Sequence, residues 1–281
     1  MRQNWESAEA SLPYMKTSPK AIFFTDFDGT ITLDDCNDHL VDNFGFGVEL
    51  RRILELELLK GNMTFRDAFQ AMLDSVHLPF DECLRIIQEN VRLDPHFLDF
   101  YIWAKEHNVP IVILSSGMTP VIISLLASLR GSKPENIFVI ANDVEARHGK
   151  DINGECGWRI KYRDDSEFGH DKSLEIKPYG ALPDQHRPLL LYARDGVSDL
   201  SAASETEILF ANECLGECDF RICPMHRQIP TTINLVTYCE QKEIKFVPFT
   251  NWISILDSMR DIEKGIHKPK SVGQRIQDLK V

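Results

Sequence analysis

The chain has 281 residues, 43% of them hydrophobic and 26% charged, an ordinary globular composition with length for one sizeable core and a smaller domain beside it. A formal net charge of −12 argues against nonspecific binding to nucleic acid or an anionic membrane, although a local cationic pocket can still hold a small anion. No apolar run is long enough to span a bilayer, Met1 to Lys20 lacks a signal-like apolar stretch, and the seven cysteines are odd in number and scattered, so a cytoplasmic protein with reduced thiols is expected.

Residues 1–19, with Pro13 and Pro19, read as an N-terminal arm. The apolar run from Ala21 to Thr25 has strand length and ends in Asp26-Phe27-Asp28-Gly29-Thr30. Residues two apart on a strand share a face, so Asp26 and Asp28 can address one ligand. Two like charges that close call for a bound cation or a shared proton, whereas a plain turn needs only one of the acids. Asp34, Asp35, Asn37 and Asp38 then offer helix caps, or hydrogen bonds to the hydroxyls of a substrate.

From Asp38 to about Asn108 apolar residues recur at helical spacing, as in Leu50, Ile53, Leu54, Leu56 and Leu58, and again in Phe65, Ala68, Phe69 and Met72. Residues 34–108 therefore read as a helical domain inserted into the remainder, with Asp81 capping one helix and the last helix opening near Asp94-Pro95. Arg51 and Arg52 lie on its amphipathic surface, either solvated or available to a substrate carboxylate.

Strand-and-helix alternation resumes with Val109 to Leu114, which ends in Ser115-Ser116-Gly117, followed by a helix from about Pro120 to Leu129 and a strand from Asn136 to Ala141. Val144 to Tyr162 carries glycines and the alternating Trp158, Ile160 and Tyr162 of a small hairpin. Lys172 opens a helix, Pro188 to Ala193 forms a strand ending in Arg194-Asp195-Gly196-Val197-Ser198-Asp199, a helix starts at Leu200, and Glu207 to Ala211 is a fifth strand. The fold class is α/β, a parallel sheet flanked by helices built from residues 20–33 and 109–262, with a tail over 263–281. Cys214, Cys218, Cys223 and His226 have spacings that fit no common zinc site.

In such sheets ligands sit outside the carboxyl ends of the strands, and three strands here end in Asp26 and Asp28, in Ser115 and Ser116, and in Asp195 and Asp199. The acids form a hard oxygen site suited to Mg²⁺, and the hydroxyls and amides suit phosphoryl oxygens. Asp-x-Asp-Gly-Thr, the Ser115 segment, Lys172 in Gly169-His170-Asp171-Lys172-Ser173, and Asp195-Gly196-Val197-Ser198-Asp199, in this order, resemble the four motifs of the haloacid dehalogenase (HAD) superfamily. The insert between the first two motifs is similar to the C1 cap of its phosphoserine-phosphatase-like branch. The phrasing around Ser115, Lys172 and Asp195 is similar, more narrowly, to fungal phosphatases acting on small polyol phosphates.

The resemblance implies a Rossmann-like core and a Mg²⁺-dependent phosphomonoester hydrolase acting on a small phosphorylated metabolite, with a polyol or sugar phosphate favoured. It implies Asp26 as nucleophile and Asp28 as acid and then base. Ser115, Ser116 and Lys172 would bind the phosphoryl group, and Asp26, the Asp28 carbonyl, Asp195 and Asp199 would serve the metal. Dehalogenases lack the second acid, so Asp28 points to a phosphate ester. A phosphoserine-type phosphatase, and a phosphotransferase or mutase using the same site, remain as alternatives. The fourth motif commonly opens with glycine where this chain has Arg194, and His170 beside Lys172 is a residue that orients the lysine loop.

Overall fold

The computed structural model describes residues 12–129, 134–196, 201–213 and 235–265. Cys214, Cys218, Cys223, His226 and Asp199 lie outside these residues, as do most of the arm and of the tail. Seven strands form one sheet: β1 (Ala21–Thr25), β2 (Ile111–Met118), β3 (Ile137–Ala146), β4 (Trp158–Lys161), β5 (Leu189–Arg194), β6 (Ile208–Asn212) and β7 (Val247–Phe249). Their order is β4-β3-β2-β1-β5-β6-β7, parallel throughout except for β4. The chain builds outward from β1 to one side through β2 and β3 and to the other through β5, β6 and β7. The carboxyl end of β1 is therefore the topological switch point, where an open sheet leaves a crevice.

β1 is buried on both faces. Ile22 and Phe24 face a cluster with Tyr14, Tyr179 and Tyr192, while Ala21 and Phe23 face Phe100, Phe210 and Trp252. Burying each of the two Phe side chains contributes about 1.5–3 kcal/mol, which anchors the strand whose end carries the acids. Part of the arm joins this core, since the Tyr14 ring stacks on Tyr179 at 5.2 Å.

The insert supplies α1 (Cys36–Phe44), α2 (Val48–Leu59), α3 (Phe65–Asp74) and α4 (Phe80–Asn90). Asp81 lies in the first turn of α4 rather than capping it, because Pro79 ends the preceding extended backbone. Helix α2 forms where the spacing predicts, yet none of its residues is buried; Arg51 ties it to α1 through Asp38 and Asp42. Next, α5 (Phe97–Glu106), which the spacing groups with the insert, packs on the sheet through Phe100, its ring centroid 4.7 Å from that of Phe23 in β1, and Phe97 and Phe100 each lie 4.7 Å from the Trp252 ring.

The remaining helices are α6 (Thr119–Leu126), α7 (Ser173–Gly180), α8 (Ser201–Ser204), α9 (Leu235–Gln241) and α10 (Trp252–Glu263), the last opening with Trp252. Two strands run beyond their expected ends. β2 continues through Ser115-Ser116-Gly117 with a register shift between Leu114 and Met118. β3 continues past Ala141 because Asp143–Ala146 pair antiparallel with β4, forming the expected hairpin. The hairpin reaches the insert, where Trp158 Nε1 donates to the Leu78 carbonyl at 2.9 Å.

Candidate active site

The end of β1 holds its two acids in different surroundings. Asp26 Oδ1 accepts from the Phe27 amide at 2.8 Å, and Oδ2 accepts from Lys172 Nζ at 2.7 Å. Asp28 Oδ1 accepts from the Cys36 amide at 3.0 Å and Oδ2 from Asn37 Nδ2 at 3.3 Å, so the start of α1 holds the second carboxyl. Burial, then the neighbouring Asp35 charge, raises the Asp28 carboxyl well above the usual carboxylate range, against the hydrogen bonds from Cys36 that favour the ion.

Gly29 makes the turn that lets a third acid approach. Its φ of +67° belongs to the left-handed region, and a Cβ there would lie 2.4 Å from Asp195 Oδ2. Burial, and next the Asp26 charge, pushes the Asp195 carboxyl up to about 7. Asn212, at the end of β6, donates to the Gly29 carbonyl at 3.2 Å and steadies this turn.

Ser115 is buried, and its Oγ accepts from the Gly117 amide at 2.9 Å. A Cβ on Gly117 would lie 3.0 Å from Asp28 Oδ2 and 3.2 Å from Ser115 Oγ, so the hydroxyl segment faces the second acid. The half-buried Ser116 has its carbonyl tied to Asn142 Nδ2 at 2.7 Å. Lys172, 3% exposed, caps α7 and reaches Asp26. Burial is the largest influence on its ammonium and opposes the charge, but Asp26 and Tyr192 outweigh it, and its pKa is raised. Asp26, Asp28, Ser115, Lys172 and Asp195 thus come together at the carboxyl end of β1, while Ser116 is placed there through its backbone, held by Asn142.

Arg194 is fully buried on the Tyr192 face of β5, with its guanidinium 5.9 Å from that ring's centroid, and its charge works against the rise at Asp195. Asp35 is the N-cap of α1, accepting from the Asn37 and Asp38 amides at 2.7 and 2.9 Å. Arg51, expected to be solvated or free for a carboxylate, is neither: it is 13% exposed and pairs with Asp38, Asp42 and Glu55 at 2.9, 2.7 and 2.6 Å. Asn142 and Asn212 escaped sequence reading, because a lone asparagine at a strand end carries no signal until the neighbouring strands are in register.

Among the described residues no three His, Cys, Asp or Glu side chains gather as a metal-ligand group. The donor set nevertheless fits one hard divalent cation, since the Asp26 and Asp195 carboxylates repel one another across the Gly29 turn and a backbone carbonyl can complete the set. No helix among the described residues is long and apolar enough to cross a membrane.

A parallel α/β sheet with acids, a hydroxyl and a buried lysine around its switch point is the architecture of a Rossmann-like enzyme. A family model described as haloacid dehalogenase-like hydrolase matches residues 23–204. The Pdp3-interacting factor 1 of Schizosaccharomyces pombe is 44% identical over 246 residues, covering 87% of this chain and 94% of its own length. Polyol phosphate phosphatase PYP1 of Saccharomyces cerevisiae is 40% identical over 253 residues, covering 88% of this chain and 95% of its own. The phosphoserine phosphatase from T. onnurineus shares the fold with a TM-score of 0.55 at 15% identity, over 87% of this chain and 96% of that one. The chain belongs to the haloacid dehalogenase-like hydrolase family, among relatives that are phosphatases.

Proposed function

We propose that the chain is a Mg²⁺-dependent phosphomonoesterase that hydrolyses a small polyol or sugar phosphate through an aspartyl-phosphate on Asp26. The observation that carries this reading is the unequal environment of the two acids. Asp26 lies against the Lys172 ammonium, whereas burial, with the neighbouring Asp35 charge, raises the proton affinity of the Asp28 carboxyl. A carboxylate nucleophile beside a protonated acid is what ester cleavage requires.

Asp26 attacks phosphorus, the bond to the ester oxygen breaks, and the departing alkoxide takes the Asp28 proton. The resulting Asp28 carboxylate then removes a proton from water as that oxygen attacks phosphorus, which releases phosphate and restores Asp26. Lys172, the Ser115 hydroxyl and the Ser116 amide offset charge on the phosphoryl oxygens, with the Gly117 amide fixing the Ser115 oxygen. The carboxylates of Asp26 and Asp195 and the Asp28 carbonyl, with Asp199 in support, would hold Mg²⁺, which would supply positive charge for phosphoryl transfer.

The choice of substrate follows from charge on the insert. Arg51, the residue best placed in sequence to greet a substrate carboxylate, is committed to three carboxylates, and Asp35 adds to the negative potential at Asp28. A neutral hydroxylated leaving group needs no charged partner there, whereas phosphoserine brings, beside its ammonium, a carboxylate for which Arg51 is already committed elsewhere. The kinship with a polyol phosphate phosphatase supports the same choice. The test is phosphate release from polyol, glycerol and sugar phosphates and from phosphoserine, beside Asp26→Asn and a chelator control. Release abolished by both controls, with polyol or sugar esters ahead of phosphoserine, is expected; release that survives Asp26→Asn refutes the mechanism, and phosphoserine ranking first refutes the substrate class.

A further inference from the structure

Two buried side chains hold the Ser115-Ser116-Gly117 segment from behind. His170 Nδ1 lies 2.9 Å from the Ser115 carbonyl oxygen, and Asn142 Nδ2 lies 2.7 Å from the Ser116 carbonyl oxygen. A carbonyl only accepts, so the imidazole carries its proton on Nδ1. With both carbonyls turned towards these two residues, the trans peptides aim the Ser116 and Gly117 amides the opposite way. The Gly117 amide reports that direction, because it donates to Ser115 Oγ on the side where Asp28 lies.

The loop that carries His170 also carries Lys172, two residues on. It is braced at several points: the Asp171 amide donates to Asp164 Oδ2 at 2.7 Å, the Arg163 amide to Asn142 Oδ1 at 2.9 Å, and Arg66 of α3 to the Asp164 carbonyl at 2.6 Å. One rigid loop therefore delivers an ammonium to Asp26 and a hydrogen-bond donor to the back of the hydroxyl segment. His170 is 1% exposed, and its Nε2 has no hydrogen-bond partner among the described residues. An unpaired buried nitrogen costs stability, so packing alone does not explain a histidine here. Burial chiefly, with the Lys172 charge adding to it, lowers the ring's proton affinity, which leaves a neutral donor of fixed tautomer.

We propose that His170 is a positioning residue: through Nδ1 it locks the Ser115 peptide so that the Ser115 hydroxyl, whose oxygen is held by the Gly117 amide, and the Ser116 amide stand ready for the phosphoryl group, in register with Lys172. The inference rests on the phosphatase reading above. A preorganised set of donors costs no reorganisation at the moment of reaction, whereas a peptide free to rotate must be ordered in each turnover.

The experiment compares His170→Asn, which keeps a donor near the Nδ1 position, with His170→Gln, which moves it towards the Nε2 position, and with His170→Ala. The readouts on Mg²⁺-loaded full-length protein are kcat/KM on the best ester, affinity for inorganic phosphate by calorimetric titration, and thermal melting. Losing the donor to a buried carbonyl is expected to lower kcat/KM about 10- to 100-fold and to weaken phosphate binding about tenfold in the Ala and Gln variants, with Asn within about threefold of the parent. Ala at parental activity, or Asn falling as far as Ala, overturns the proposal. Should Ala not fold, equal losses in Asn and Gln overturn it instead. If the parent protein hydrolyses no ester, the phosphatase reading fails, and the phosphate titrations of the same variants still decide the role of His170.

Discussion

Replacing Lys172 by methionine removes one member of the buried ion pair that holds Asp26 while keeping most of the side chain's length. The pair is 2.7 Å long, with Lys172 3% and Asp26 13% exposed. Breaking a buried pair from one side costs about 3–5 kcal/mol, because the remaining charge is stranded. Asp26 retains the Phe27 amide and some water, so the expected loss lies at the lower end, about 3 kcal/mol. Asp26→Asn strands the ammonium instead, and the double variant strands neither. Urea unfolding of the four proteins in EDTA, which removes stabilisation by bound metal, should therefore show a coupling energy of about 2 kcal/mol or more. Phosphate release should fall in Lys172→Met even where the protein remains folded. A cost below about 1 kcal/mol for Lys172→Met, or costs that simply add in the double variant, refutes the view that this pair is desolvated and mutually dependent.

Gly117→Ala should fold with a stability change within about 1 kcal/mol, yet lose at least about tenfold in turnover, because its methyl would sit 3.0 Å from Asp28 Oδ2 in the space facing the acid; melting and kinetics separate the two effects. Gly29→Ala should be costlier, since φ of +67° adds about 1 kcal/mol of backbone strain and the Cβ would displace the Asp195 carboxylate, 2.4 Å away; a weakened Mg²⁺ titration would report it. Asp28→Asn should cut hydrolysis of an alkyl phosphate by about 100-fold or more, and the burst of nitrophenolate from p-nitrophenyl phosphate by less, because nitrophenolate leaves without a proton; equal losses would refute the acid role. In metal-free protein the Asp195 carboxyl, pushed up to about 7, binds its proton more tightly when folded than when unfolded, so its contribution is fully present below pH 3.8 and lost as pH rises through about 7. The melting temperature in EDTA should then fall between pH 5 and pH 8, and Mg²⁺ should restore more at pH 8 than at pH 5.

Most of the crevice was legible before any tertiary contact was known, and for a local reason. Asp26, Ser115 and Asp195 each follow an apolar strand, and strand ends in a parallel sheet must meet along one edge. Lys172 was legible only by its place in the order of motifs, since nothing near it in sequence says that its ammonium reaches Asp26. The partners of Asp28 divide in the same way. Cys36 and Asn37 lie at the start of a helix whose caps were visible, but that their amide and side chain turn back onto Asp28 depends on how the segment after Thr30 folds over the strand end.

Arg51 shows the opposite case: its position on an amphipathic helix left open whether it was solvated or free for a substrate, and only the packing of α1 against α2 commits it to three carboxylates. β7 and α10 were not recognised, because a three-residue strand at a sheet edge carries too little periodicity, although Trp252 at the head of α10 is central to the core. The α/β class and the order of the acids, hydroxyls and lysine are written in the sequence alone, because strand burial and turn chemistry act over a few residues. Which carboxyl pairs with Lys172, which has its proton affinity raised by burial, and how His170 and Asn142 orient the Ser115 segment came only with the folded chain, because charge, burial and hydrogen-bond direction depend on groups brought together across separations such as 26, 55 and 146 residues.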